Sequence, residues 1–131
     1  MNLAELCPCG SSRKAALCCA PFLDGSRQPT TAEELMRSRY TAYTRADANY
    51  LIATLHPSKR SDDDEVNILA WAHNSRFTGL SVIKTKAGKA KDNDGVVEFV
   101  ARFSDADGTY AHREISRFVK EDGRWWYLEG L

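Results

Sequence analysis

All four cysteines of the chain lie in its first nineteen residues, MNLAELCPCGSSRKAALCC. Cys7 and Cys9 flank Pro8, and Cys18 and Cys19 are adjacent. A disulfide between neighbours, or across one residue, would strain the Cβ–S–S–Cβ dihedral angle. A cross-bridge such as Cys7–Cys18 is geometrically open, but a reducing compartment disfavours it.

Four closely spaced thiols are typical of a metal site. Thiolates are ligands that zinc prefers, and four of them close a tetrahedral structural site. The turn residues Gly10 and Ser11 would let backbone N–H groups point at the sulfurs, while Arg13 and Lys14 would offset the negative charge. With no open coordination position, the ion is predicted to be structural rather than catalytic. The sequence therefore predicts one Zn²⁺ per chain, bound by Cys7, Cys9, Cys18 and Cys19.

Composition limits the remaining classes. A chain of 131 residues with 43% hydrophobic content can build one domain with a real core. Eighteen basic residues balance eighteen acidic ones, so there is no overall attraction to nucleic acid or to an anionic membrane. No apolar run is long enough for a membrane span, and the first residues lack a secretory signal pattern. We therefore expect a cytoplasmic protein, whose thiols stay reduced.

The cysteine stretch and three later stretches resemble a known family. Cys-Pro-Cys-Gly-Ser at 7–11 followed by Cys18-Cys19 resembles the SEC-C motif, the zinc-binding tail of the translocase SecA. LMRSRYTAY (35–43), YLIATLHPS (50–58) and SRFVKEDGRWWYLEG (116–130) extend the resemblance to the YchJ-like family. Its members carry a SEC-C head on a nuclear-transport-factor-2-like body. The resemblance implies zinc and a cystatin-like cone, in which a curved antiparallel sheet packs on N-terminal helices, but no established reaction.

The first half of the body predicts helices. Thr31 and Glu34 form a capping-box pattern, and apolar residues then recur at helical spacing through Tyr43. Asp47 is predicted to cap a second helix that Pro57 ends, and an acidic run at 62–65 precedes a third. Together with these patterns, the resemblance implies a SEC-C motif at 1–22, a connector at 23–30 and a nuclear-transport-factor-2-like domain at 31–131.

The second half predicts strands. Residues 80–85, 96–103, 110–119 and 125–128 are rich in β-branched and aromatic side chains, and turn residues separate them. Helices followed by consecutive hairpins indicate an α+β fold with an antiparallel sheet. This expectation from the residues agrees with the cone that the resemblance implies.

The Trp125-Trp126 pair raises the question of which side chain enters the core. If Gly123 closes a three-residue hairpin loop, Phe118, Trp126 and Leu128 share one face. The other face would then carry an apolar patch that could mediate a homodimer. That patch is predicted to comprise Ile115, Val119, Trp125 and Tyr127.

Four residues are candidates for a pocket inside the cone: Arg39, Tyr43, His56 and Glu114. Arg39 falls within the apolar stripe of the first predicted helix, so a buried guanidinium there must be paired, and Asp47, Glu98 and Glu114 are the expected partners. Alternatively, Arg39 binds an anion at the pocket mouth, or its long stem reaches solvent. His56 suits either a general base or a helix cap, and Tyr43 either a ligand cavity or plain core. No catalytic signature is present, so the sequence leans away from an enzyme.

Three functions remain open. The first is an interaction module whose zinc motif contacts a protein partner, by analogy with the translocase tail, which contacts a chaperone. The second is small-molecule binding or catalysis in the cone. The third is a thiol redox or zinc-responsive switch. The lysines at 84, 86, 89 and 91 lie beside Asp92 and Asp94, which indicates a solvated hairpin end rather than a nucleic-acid site.

Overall fold

The computed structural model describes residues 2–131. Within them, short helices precede a four-stranded antiparallel sheet in the order β1-β2-β3-β4. The helices are α1 Ala20–Leu23, α2 Ala32–Thr44, α3 Ala48–Thr54 and α4 Asp64–Asn74, with 3₁₀ turns at Ala15–Leu17 and Pro57–Lys59. The strands are β1 Arg76–Ala87, β2 Asp94–Asp105, β3 Gly108–Glu121 and β4 Arg124–Gly130.

The helix starts follow the capping residues. Thr31 Oγ1 accepts a hydrogen bond from Glu34 N at 3.1 Å, at the start of α2. Asp47 accepts one from Tyr50 N at 3.0 Å, at the start of α3. Both predicted caps are confirmed, and α3 ends at Thr54, before Pro57.

The core lies between α2 and the inner face of the sheet. Alternate residues of each strand point inward, as the period of two requires. Irregular pairing of β1 with β2 between Phe77 and Gly79, and between Val82 and Lys84, adds local twist to the sheet. The buried cluster includes Leu35, Met36, Tyr40, Leu80, Val97, Phe99, Phe118 and Trp125. The fold is the predicted α+β cone.

The hairpin between β3 and β4 corrects the predicted faces. Glu121 pairs with Arg124, so the loop is the two residues Asp122 and Gly123. Both have positive φ, 55° and 79°, which is the geometry of a type I′ turn. The predicted three-residue loop is therefore wrong, and the loss of one loop residue moves Trp125, Trp126 and Tyr127 to the faces opposite to those predicted. Irregular pairing between Arg117 and Phe118 shifts the register again beyond Tyr127.

Trp125, not Trp126, enters the core. Trp125 is 3% exposed, its Nε1 donates to Thr30 O at 3.1 Å, and it shares the inner face with Phe118 and Tyr127. Trp126 lies on the other face, with the guanidinium carbon of Arg124 at 4.2 Å from its ring centroid. The apolar patch predicted around Trp125 and Tyr127 therefore does not form.

The N-terminal stretch packs onto this core. Helix α1 extends to Leu23, and Phe22 on it is 6% exposed. The four cysteines belong to the same buried cluster as Leu35 and Leu80. Among the residues described, none of the helices has the length and apolar content needed to cross a membrane.

Candidate metal centre

The fold brings the four cysteine sulfurs together. Their Sγ atoms all lie within 4.8 Å of one another, with Cys9 and Cys18 at 3.6 Å and Cys18 and Cys19 at 3.9 Å. All four are free thiols, and none is more than 6% exposed. A tetrahedral ion with metal–sulfur bonds of about 2.3 Å separates its sulfurs by roughly 3.8 Å. The donor set therefore fits a closed tetrathiolate metal site.

Local turns position the sulfurs of Cys7 and Cys9. Cys7 N donates to Arg13 O at 2.7 Å and Gly10 N to Cys7 O at 3.3 Å, which closes the loop between the cysteine pairs. Gly10 has φ +80°, a conformation that glycine adopts without strain. A Cβ at this position would lie 2.6 Å from Leu80 O, so the loop approaches the backbone of β1 directly.

A 3₁₀ turn and the short helix α1 position the sulfurs of Cys18 and Cys19. Cys18 ends the 3₁₀ turn Ala15–Leu17, and Cys19 begins α1. Ser11 Oγ lies 3.1 Å from the Cys18 sulfur. Arg13 and Lys14, the predicted counter-charges, have exposed side chains.

Helix α2 supports the site with two residues that the sequence reasoning missed. Arg37 Nη1 donates to Cys9 O at 2.7 Å, and its Nε donates to Glu33 Oε2 at 3.0 Å. Thr41 Oγ1 lies 3.6 Å from the Cys7 sulfur. Positions 37 and 41 are one helical turn apart and share a face of α2. This spacing was the sequence signal that could have identified the two residues as a pair. Groups of this kind hold metal ligands in position.

Contacts among the sulfurs shift the pKa values of three of the thiols. Hydrogen bonds with Cys19 and Cys9 lower the pKa of Cys7. The pKa of Cys19 is raised because its proton is held by Cys7 and Cys9. Burial raises the pKa of Cys18 to about 11. A bound ion would displace these protons, since only thiolates coordinate.

Arg39, Tyr43 and Glu114 line a different site, a cavity of about 140 Å³ between α2 and the sheet. None of the three carboxylates named as partners of Arg39, which are Asp47, Glu98 and Glu114, forms a salt bridge with it among the described residues. Arg39 Nη1 donates instead to Leu51 O at 2.8 Å and to Thr54 Oγ1 at 2.6 Å. The last turn of α3 supplies these neutral acceptors because α3 packs beside the buried face of α2. The remaining lining residues are Met36, Tyr40, Trp71, Phe77, Phe99, Ala101, His112, Ser116 and Tyr127.

Glu114 belongs to a row of polar side chains on β3. Its Oε1 lies 3.3 Å from His112 Nε2, and its Oε2 accepts from Ser116 Oγ. Tyr127 OH donates to the same Oε2 at 3.5 Å. Residues 112, 114 and 116 alternate along one strand and so share its inner face, a signal that the sequence contained.

His56, the fourth pocket candidate, does not line this cavity. Its Nδ1 accepts from Ser58 N at 3.2 Å and caps the 3₁₀ turn, and its Nε2 lies 3.0 Å from Glu121 Oε1. The chain turns away at Pro57, which places the ring beside Trp126.

Comparison with known families agrees with this architecture. The family described as the YchJ middle NTF2-like domain matches residues 31–130, and the SEC-C motif matches residues 4–21. The chain belongs to the YchJ-like family. The family resemblance in the sequence is thereby confirmed.

Relatives and solved structures of this family cover nearly the whole chain. UPF0225 protein GSU1048 of Geobacter sulfurreducens is 44% identical over 128 residues, which are 98% of this chain and 80% of the relative. UPF0225 protein Ent638_2310 of Enterobacter sp. is 41% identical over 128 residues, 98% of this chain and 84% of the relative.

Among solved structures, RPA3114, a SEC-C motif containing protein from Rhodopseudomonas palustris, has a TM-score of 0.88 and 38% identity and covers 97% of this chain and 98% of its own. A SEC-C motif containing protein from Psychrobacter arcticus has a TM-score of 0.81 and 29% identity, covering 98% and 84% respectively.

Proposed function

We propose that the protein is a zinc-binding interaction module. One structural Zn²⁺, bound by the four cysteines, fixes the N-terminal head, defined as residues 2–23, and the head presents a surface to a protein partner. The observation that carries the proposal is the set of four buried sulfurs within 4.8 Å of one another. A tetrathiolate without an open position suits zinc and a structural role.

The head exposes three apolar side chains. Leu3, Leu6 and Leu17 are 50%, 66% and 62% exposed. Backbone contacts hold their segments close together, since Ala16 N donates to Leu3 O at 3.2 Å and Leu6 bridges to Lys14. Exposed leucines on a small metal-fixed unit support binding of a partner that offers an apolar surface.

The alternative of a thiol redox switch has less support. Redox-sensing thiols are solvent-accessible, whereas these are at most 6% exposed. The proposal includes a reducing compartment, the cytoplasm, because the site requires free thiols.

Metal content tests the first half of the proposal. Protein purified without added zinc is expected to carry one zinc per chain by native mass spectrometry and elemental analysis. No bound metal, or a different metal in its place, would contradict the structural-zinc assignment.

Leucine substitutions test the second half. We expect L6S/L17S to lose the partner found by cross-linking in cells and mass spectrometry, while it keeps its zinc. The control V66S changes an equally exposed apolar residue of α4 instead. Loss of the partner in the control, or its retention in the head variant, would refute the head as the interaction surface.

A second candidate function is small-molecule binding in the cone. It is favoured by the cavity of about 140 Å³, in which apolar rings surround Arg39 and Glu114. Pockets that bind ligands combine apolar walls with a few polar groups in this way.

A further inference from the structure

Among the residues that the structure describes, no carboxylate hydrogen-bonds the buried guanidinium of Arg39. The residue is 7% exposed, and its hydrogen bonds run from Nη1 to two neutral oxygens, Leu51 O and Thr54 Oγ1. Within residues 2–131, its Nε and Nη2 have no hydrogen-bond partner, and its guanidinium forms no salt bridge. A guanidinium stays charged, and a buried charge is stabilised by a hydrogen-bonded counter-ion.

The neighbouring carboxylates form their hydrogen bonds elsewhere, and Glu114 acts on the charge of Arg39 only through space. Glu98 pairs with Arg113 on the outer face of the sheet. Glu114 accepts from Ser116 and Tyr127 and lies beside His112. The Arg39 guanidinium carbon instead sits over the Tyr127 ring, 4.5 Å from its centroid, while Glu114 contacts the phenolic end of that ring. Tyr127 therefore contacts both the cation and the acid.

The cavity beside Arg39 has the size of a single ring. Its volume is about 140 Å³, and a protein cavity of about 150 Å³ is large enough for benzene. Trp71, one of the lining residues, is 38% exposed. Its ring centroid lies 4.8 Å from that of Tyr43 and 5.3 Å from that of Phe77, in edge-to-face arrangements. These rings offer an apolar wall to a planar ligand.

We propose that this cavity binds a small organic carboxylate of about one aromatic ring. The carboxylate accepts hydrogen bonds from Arg39, and the ring lies among Tyr43, Trp71 and Phe77. Glu114 and His112, at the β3 wall, then face the far side of the ring, where a hydroxyl or amine on the ligand could be bound. This inference rests on the small-molecule binding proposed above and adds the charge and size of the ligand.

Three probes of equal size and different charge test the ligand class. Benzoate, benzamide and benzylamine are titrated into the full-length, metal-loaded protein and followed by NMR. We expect benzoate to give saturable shifts at the cavity residues, and benzamide to bind at least about tenfold more weakly because it lacks the charge-assisted hydrogen bonds. Benzylamine is expected to bind more weakly still.

The possible failures are distinguishable. If none of the three probes shifts the cavity residues, small-molecule binding and the carboxylate inference both fail. If benzamide or benzylamine binds as tightly as benzoate, small-molecule binding stands and the carboxylate inference fails.

Two variants locate the site. R39M is expected to weaken benzoate binding at least about tenfold, whereas R113M, the same change on the outer face of β3, leaves it unchanged. Since R39M also removes contacts to α3, A101L provides a second test by filling the cavity without a change of charge. Its matched control is A111L, on the exposed side of β3. Unchanged benzoate binding in folded R39M or in A101L would overturn the inference.

Discussion

At the scale of single residues, Gly10 connects the metal loop, defined as residues 7–19, to the body of the protein. Its φ of +80° is in the left-handed region, and the backbone of β1 leaves no room for a side chain there. Gly25 has nearly the same φ, +85°, but open space around it. Substitutions at the two glycines therefore distinguish the cost of backbone strain, which both share, from the cost of the close contact with β1, which only Gly10 has.

We expect Gly10→Ala to lower the free energy of unfolding by more than Gly25→Ala. The left-handed conformation alone costs a residue other than glycine about 1–2 kcal/mol, and Gly10→Ala adds the clash with Leu80 O. Chemical unfolding of both metal-loaded variants measures the difference. An equal loss of unfolding free energy in the two variants would show that the loop accommodates the added Cβ at position 10 without further destabilisation.

The buried phenol of Tyr50 makes the stability of the protein depend on pH in the alkaline range. Burial raises the pKa of its phenol to about 12, and the hydroxyl lies 2.6 Å from Ser38 Oγ. The ordinary pKa of tyrosine is about 10. Since the folded pKa is above the unfolded one, this contribution to stability is complete below pH 10 and is lost as the pH rises toward 12.

We expect Tyr50→Phe to lose less stability than the wild type between pH 10 and pH 12. Urea unfolding across that range provides the measurement, and the exposed Tyr110 provides the control as Tyr110→Phe. Parallel curves for wild type and Tyr50→Phe would be inconsistent with a buried neutral phenol.

At the scale of elements, the metal loop and α2 are one packing unit. Thr41 and Arg37 contact the cysteines from α2, and Gly10 contacts β1. We expect chelation of the metal to shift amide signals of α2 and β1 as well as those of the head, as measured by NMR before and after a chelator. Changes confined to residues 2–22 would instead show that the head is mechanically independent.

Local signals explain which elements could be predicted. Thr31 and Asp47 mark helix starts because a cap is a contact between residues three apart. The faces of β4 depend on whether the loop before Arg124 has two residues or three, and the signal for two was missed, because Asp122-Gly123 is a dipeptide typical of a two-residue type I′ turn. The partners of Arg39 were missed because they come from the packing of α3 against α2. Sequence spacing identified the four cysteines, whereas Arg37 and Thr41 became relevant only when α2 was placed beside them.

At the scale of the whole molecule, homodimerisation through the sheet remains a prediction. The residues first expected to mediate it, Trp125 and Tyr127, face inward, but Ile83 and Ile115 are 51% and 40% exposed. If the sheet associates, Ile115→Lys should convert the dimer to a monomer in sedimentation velocity experiments. Val66→Lys, which changes an exposed residue of α4, serves as the control. A wild-type protein that is monomeric at every accessible concentration would refute this mode of association.

The shared core of head and body also bears on the life of the protein in the cell. The cysteines are packed with Leu35 and Leu80 in the hydrophobic core of the described residues. In a chain without a bound ion, one side of this core would therefore be poorly ordered. An ion that binds only the folded state raises the folded fraction, and unfolded chains are removed by proteases. On the proposal that this ion is zinc, zinc supply would set the abundance of the entire protein, and zinc starvation would deplete it without any regulatory site being involved.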